Sequence, residues 1–164
     1  MTNKFWLNYA LVALSSLMIM GCASKLADLE SEKVLDYGVT NSKKIEIINS
    51  PTSKTFVTIT YLNPIEDEMV TQDTEKFIVG TYLATGNGAD DKMKFSGYTV
   101  NGSEEGVIVT PLSNDDPLLK LIASANLWTN YVLVESPKTD KLKMEFSFEN
   151  GHSGKVSATF EKDY

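Results

Sequence analysis

A chain of 164 residues, 42% hydrophobic and 10% aromatic, has room for one packed domain and a targeting segment, which excludes a wholly disordered polymer. Its 15 basic residues are all lysines and its net charge is −7. It therefore lacks both the arginine forks and the positive field of a nucleic-acid surface, and no nucleic-acid partner is expected.

The chain opens Met1-Thr-Asn-Lys4, then runs apolar from Phe5 to Met20, broken only by Asn8 and Ser15-Ser16. A charged start, a short apolar stretch and a small residue before a cysteine describe a secretory signal peptide. The run is too short, and too polar at Asn8, for a membrane-spanning helix. It ends Ile19-Met20-Gly21-Cys22, and Cys22 is the sole cysteine, so no internal disulfide is possible.

Those four residues resemble the lipobox of bacterial lipoproteins: an aliphatic residue, a tolerant position, a small residue, then cysteine. Met20 is the unusual choice among them. The resemblance covers residues 1 to about 24 and implies lipid on the Cys22 thiol, cleavage after Gly21 and often acylation of the new amine. Each buried methylene contributes about 0.8 kcal/mol, and two or three chains make attachment durable. Ala23-Ser24 then resembles the class sorted to the outer membrane, facing the periplasm; cell surface and inner membrane are the alternatives. Loss of residues 1–21 removes Lys4 and leaves 14 lysines against 22 carboxylates, a charge of −8. Anionic lipid heads repel such a surface, so acyl chains must supply the anchoring.

Residues 22–40 read as a lipidated N-terminus and tether, with a docked helix as the competing reading because Leu26, Leu29 and Lys33 fall near helical spacing. From residue 41 to 164 the pattern changes to period two. Ile45 and Ile47 alternate with Glu46 up to a turn at Asn49-Ser-Pro-Thr. Thr55–Leu62, Phe77–Leu83, Met93–Val100 and Val107–Leu112 are further strand candidates, separated by turn residues such as Asn63-Pro64 and Asn101-Gly102. Asp115–Ala125 predicts a short helix capped by Asp115 or Asp116, with Pro117 in its first turn and Leu118, Leu121, Ile122 and Ala125 buried. Trp128–Glu135 follows. Then Leu142, Met144, Phe146 and Phe148 alternate with Lys141, Lys143, Glu145 and Ser147, and Val156, Ala158 and Phe160 repeat the pattern. Clean alternation marks antiparallel strands with one wet face. The expected fold is all-β: an immunoglobulin-like antiparallel β-sandwich of about eight strands, with one short helix in a crossover.

Chemistry is sparse. His152, the only histidine, sits in a turn, and no Gly-x-Ser-x-Gly occurs, so no nucleophile–base pair is indicated. The acidic clusters Glu66-Asp67-Glu68, Asp90-Asp91, Glu104-Glu105 and Asp115-Asp116 fall in loops without the spacing of a calcium hand. Trp128, Tyr131, Tyr61, Tyr82 and Tyr98 read as packing, or, if exposed, as stacking surfaces for a sugar or a protein. No catalytic residue, cofactor or metal is expected, and Cys22 is the one site residue. The leading expectation is a non-enzymatic binding or assembly module, held by membrane lipid and meeting an envelope protein. A carbohydrate or small-ligand module is the first alternative, favoured by an accessible Trp128. A carboxylate-based hydrolase is the second.

Overall fold

A computed structural model describes residues 33, 36–38, 40–85, 95–123, 125–151 and 154–162. The expected signal peptide, Cys22, Asp90-Asp91 and His152 therefore lie outside the described residues, as does most of the segment read as a tether. The compact unit runs from Tyr37. Within it, Tyr37 and Gly38 are helical, and the Tyr37 hydroxyl donates to the Pro64 carbonyl.

Eight strands follow: β1 (Ser42–Ser50), β2 (Ser53–Tyr61), β3 (Thr74–Thr85), β4 (Phe95–Val100), β5 (Ile108–Leu112), β6 (Asn130–Pro137), β7 (Lys143–Asn150) and β8 (Gly154–Glu161). They form two antiparallel sheets, ordered β1-β2-β3-β6-β5 and β4-β7-β8. Strands β2 to β8 reproduce the four-plus-three arrangement of a constant-type immunoglobulin domain, and β1 is added outside it against β2. In antibody domains a disulfide joins the strands equivalent to β3 and β7. Here Phe77 of β3 and Phe146 of β7 meet instead, with ring centroids 4.8 Å apart.

The core between the sheets follows the period-two pattern. Val57, Ile59 and Tyr61 of β2 join Phe77, Val79, Val134, Met144, Phe146, Phe148 and Phe160. In the three-stranded sheet two positions depart from simple alternation. Ser147, expected on the wet face, is buried, and its hydroxyl shares a 2.6 Å hydrogen bond with Thr99 of the neighbouring strand. A small residue in the middle strand of a three-stranded sheet is covered by its flanking strands. In β4 the register shifts between Ser96 and Thr99, and Gly97 adopts φ +59°. This bulge lets Phe95 and Tyr98 both reach Phe148 (4.8 and 6.0 Å) although they are three residues apart. Burial pushes the Tyr98 hydroxyl up to about 12.

A second apolar cluster covers part of the other face of the five-stranded sheet. Leu62 and Val70 from the β2–β3 connection and Leu119, Leu121 and Ile122 from the β5–β6 connection pack on Ile78 and Tyr131. The predicted helix is shorter than expected, a 3-10 turn over Pro117–Leu121. Asp116 caps it, its Oδ1 accepting from the Leu118 N–H at 3.0 Å, and Pro117 opens it. Leu119 is buried with Leu121 and Ile122, whereas Leu118 and Ala125, both expected in the buried stripe, are half-buried and exposed respectively. A turn of three residues per revolution ends at extended Ile122, before the stripe repeats.

Candidate functional site

The outer face of the five-stranded sheet is only partly covered, and the uncovered part forms a groove of about 390 Å³. Register explains its lining. One cross-strand row is Lys44, Thr58, Gly80 and Tyr131, on β1, β2, β3 and β6. The next row is Glu46, Phe56 and Tyr82. Because Val57, Ile59 and Tyr61 point into the sandwich, the intervening Phe56, Thr58 and Thr60 must point out. Phe56 and Tyr82 lie side by side with their ring planes 21° apart and centroids 6.4 Å apart, and each is 41% exposed.

The opposite wall is the segment leading into β6. Trp128 is 77% exposed there, and Leu127 equally so. Local hydrogen bonds hold the tryptophan in place. Asn126 Oδ1 accepts from the Trp128 N–H and from the Thr129 hydroxyl, each at 3.0 Å, an Asx-type turn. The Asn126 N–H in turn donates to the Tyr131 hydroxyl at 2.9 Å. Tyr131 lies over Gly80: a Cβ at that position would stand 2.8 Å from Tyr131 Cε1 and 3.1 Å from Thr129 Cγ2. Gly80 therefore seats Tyr131, Tyr131 holds Asn126, and Asn126 presents Trp128.

That chain of contacts sets the sign of a substitution. Gly80→Ala in a mid-sheet strand would ordinarily stabilise, by relieving backbone entropy. Here it should destabilise by about 1–3 kcal/mol, because the ring has to move. Urea denaturation with Trp128 emission as a second readout checks this. A stabilised Gly80→Ala variant would show that the contact is slack.

The expected aromatics divide between core and groove. Tyr61 and Tyr131 are buried, and Tyr98 packs on the core, whereas Tyr82 and Trp128 face the groove. Phe56 and Lys44, not singled out from the sequence, join them. The alternation of β2 carries the signal for Phe56. Its pairing with Tyr82 needs the β2–β3 register, which local sequence does not contain.

The acidic clusters do other work. Asp67 Oδ1 accepts from the Met69 N–H at 2.9 Å in a turn, Asp116 is the helix cap, and Glu66, Glu68, Glu104, Glu105 and Asp115 are exposed. Among the described residues no three His, Cys, Asp or Glu side chains converge as a metal site. Among the described residues the groove lining contains no carboxylate, and two other clefts contain one each, Glu105 and Asp140. No helix of the described residues is long and apolar enough to cross a membrane. No protein-family model, curated protein or solved structure matches the chain.

Proposed function

We propose that the chain is a lipid-anchored, non-enzymatic binding module of the cell envelope, and that it captures a saccharide in the groove of its five-stranded sheet. The location rests on the lipobox-like Ile19-Met20-Gly21-Cys22 and the Ala23-Ser24 that follows, which favour an outer-membrane lipoprotein facing the periplasm. The binding mode rests above all on one observation, the exposure of Trp128 across a groove from Phe56 and Tyr82. Left in water, large aromatic faces cost free energy. Sugar rings present C–H faces that cover them and hydroxyls that bond to Thr58. The described lining residues include no pair of carboxylates to act as an acid–base couple on a bound glycan, so capture rather than cleavage is the chemistry they support.

A glycan array probed with the full-length protein tests this. Trp128→Ala should weaken binding by about 2 kcal/mol, roughly thirtyfold, with little change in melting temperature. Retained affinity in that variant would move the site elsewhere. In the same cells, Cys22→Ser should shift the protein from the membrane to the soluble fraction.

A specific observation also favours an envelope protein as partner. The outer edge of β5 carries Ile108 and Val109, 60% and 40% exposed, and such an edge can receive a strand from another chain. Crosslinking in intact cells with a probe at Ile108 would identify that chain.

A further inference from the structure

The groove has a charge character opposite to that of the whole chain. The protein carries a net charge of −7, yet the one charged residue among the described residues that line the groove is a lysine, Lys44. Its nearest acid along the strand face is Glu46, and that carboxylate is held by Lys54 at 2.6 Å. Among the described residues no carboxylate pairs with Lys44. The lysine is exposed on β1, at one end of the cross-strand row that passes over Thr58 and Gly80. At the ordinary strand spacing its backbone stands about 10 Å from Gly80, so it flanks the aromatic floor at a reach of one or two sugar rings.

We infer that the groove selects an acidic saccharide and that Lys44 is its anion contact. This rests on the saccharide reading given above. Sugar C–H faces settle on Phe56, Tyr82 and Trp128, the Thr58 hydroxyl meets ring hydroxyls, and the Lys44 ammonium donates a charge-assisted hydrogen bond to the ligand's acid group. One ammonium matches a singly charged carboxylate better than a phosphate carrying nearly two charges. The chain also has no arginine, the side chain that grips phosphate with a planar fork. The negative net charge sharpens the choice, because it disfavours an acidic chain over the surface as a whole while Lys44 favours it at the groove.

The test is calorimetric titration of the full-length protein in detergent. The probes are carboxylated oligosaccharides of the galacturonate, glucuronate and N-acetylmuramate types, set against neutral oligosaccharides of equal length. The carboxylated probes should bind more tightly and lose affinity as salt rises. Lys44→Gln should weaken the carboxylated probes about tenfold and the neutral probes far less, while Lys44→Arg restores most of the loss. Equal affinity for both classes, unaltered by Lys44→Gln, would overturn acid selectivity and leave the saccharide reading standing. Failure of both classes with the folded protein would overturn both readings. Capture of a glutamate-rich peptide in place of any saccharide would overturn them too, and would reassign the groove to a protein partner.

Discussion

Replacing Glu75 with alanine is expected to destabilise the domain by about 3–5 kcal/mol, although the residue lies far along β3 from the groove. Glu75 is fully buried. Its Oε1 accepts from the Lys162 ammonium at 2.6 Å and from the Thr139 N–H at 3.0 Å, and its Oε2 accepts from the Tyr61 hydroxyl at 2.7 Å. The Lys162 ammonium also donates to the Thr139 carbonyl. One carboxylate thus ties the end of β2, the β6–β7 connection and the residue following β8. Removing it strands a mostly buried ammonium, a phenol and an amide, each of which has lost its bond to water. Lys162→Met should cost a comparable amount, since it leaves the buried carboxylate without its cation.

Burial alone would raise the Glu75 carboxyl, but bonds from Lys162, Thr139 and Tyr61 outweigh it and hold the pKa below the ordinary glutamate value. The folded pKa is then lower than the unfolded one. This contribution to stability is complete above the unfolded pKa and is lost as pH falls through the folded one. Urea midpoints measured across the acid range should therefore fall less steeply for Glu75→Gln than for the parent. Parallel acid limbs would refute the network's role, as would a Glu75→Ala midpoint close to the parent's.

Phe77→Ala should cost about as much, 3–5 kcal/mol, by a different route. Phe77 is fully buried, with ring centroids 5.1 Å from Tyr61, 4.8 Å from Phe146 and 5.4 Å from Phe160. Truncation opens a cavity where the two sheets meet, at the contact that replaces an inter-sheet disulfide. Phe77→Leu fills most of that space and should cost less than half as much. Phe56→Ala removes the same side chain from the adjacent strand but from the groove face, so it should change stability by under about 1 kcal/mol. Urea melts of the three variants side by side decide the matter. Equal losses for Phe77→Ala and Phe56→Ala would mean that the two faces of the sheet are not core and groove.

The strands were legible because their signal is local. Phe146 and Phe148 alternate with the polar residues Glu145, Ser147 and Glu149, and Asn101-Gly102 forms a two-residue turn in which both positions take positive φ (54° and 79°). Elements governed by distant partners were less legible. The bulge at Gly97 exists to bring both Phe95 and Tyr98 onto Phe148, so the alternation through Gly97 misleads when read alone. The helical turn ends early because Leu119, Leu121 and Ile122 must reach a sheet face, which an α-helical repeat does not satisfy. Trp128 could be read either as core or as surface. Its exposure depends on Asn126 in the segment before β6, Tyr131 of β6 and Gly80 of β3, and the whole β4–β5 excursion separates β3 from β6 in sequence.

The strand added outside the immunoglobulin arrangement has a mechanical consequence. If the proposed lipid on Cys22 anchors the chain, a pull between membrane and ligand enters the compact unit at its Tyr37 end and passes directly into β1, the first strand and one edge of its sheet. Tension along β1 loads its hydrogen bonds to β2 together, whereas a sideways pull strips them one after another. β1 also carries Lys44, so peeling takes away one wall of the groove while β2 to β8 still form a closed sandwich. The load path from the anchor therefore crosses the groove before it reaches the core.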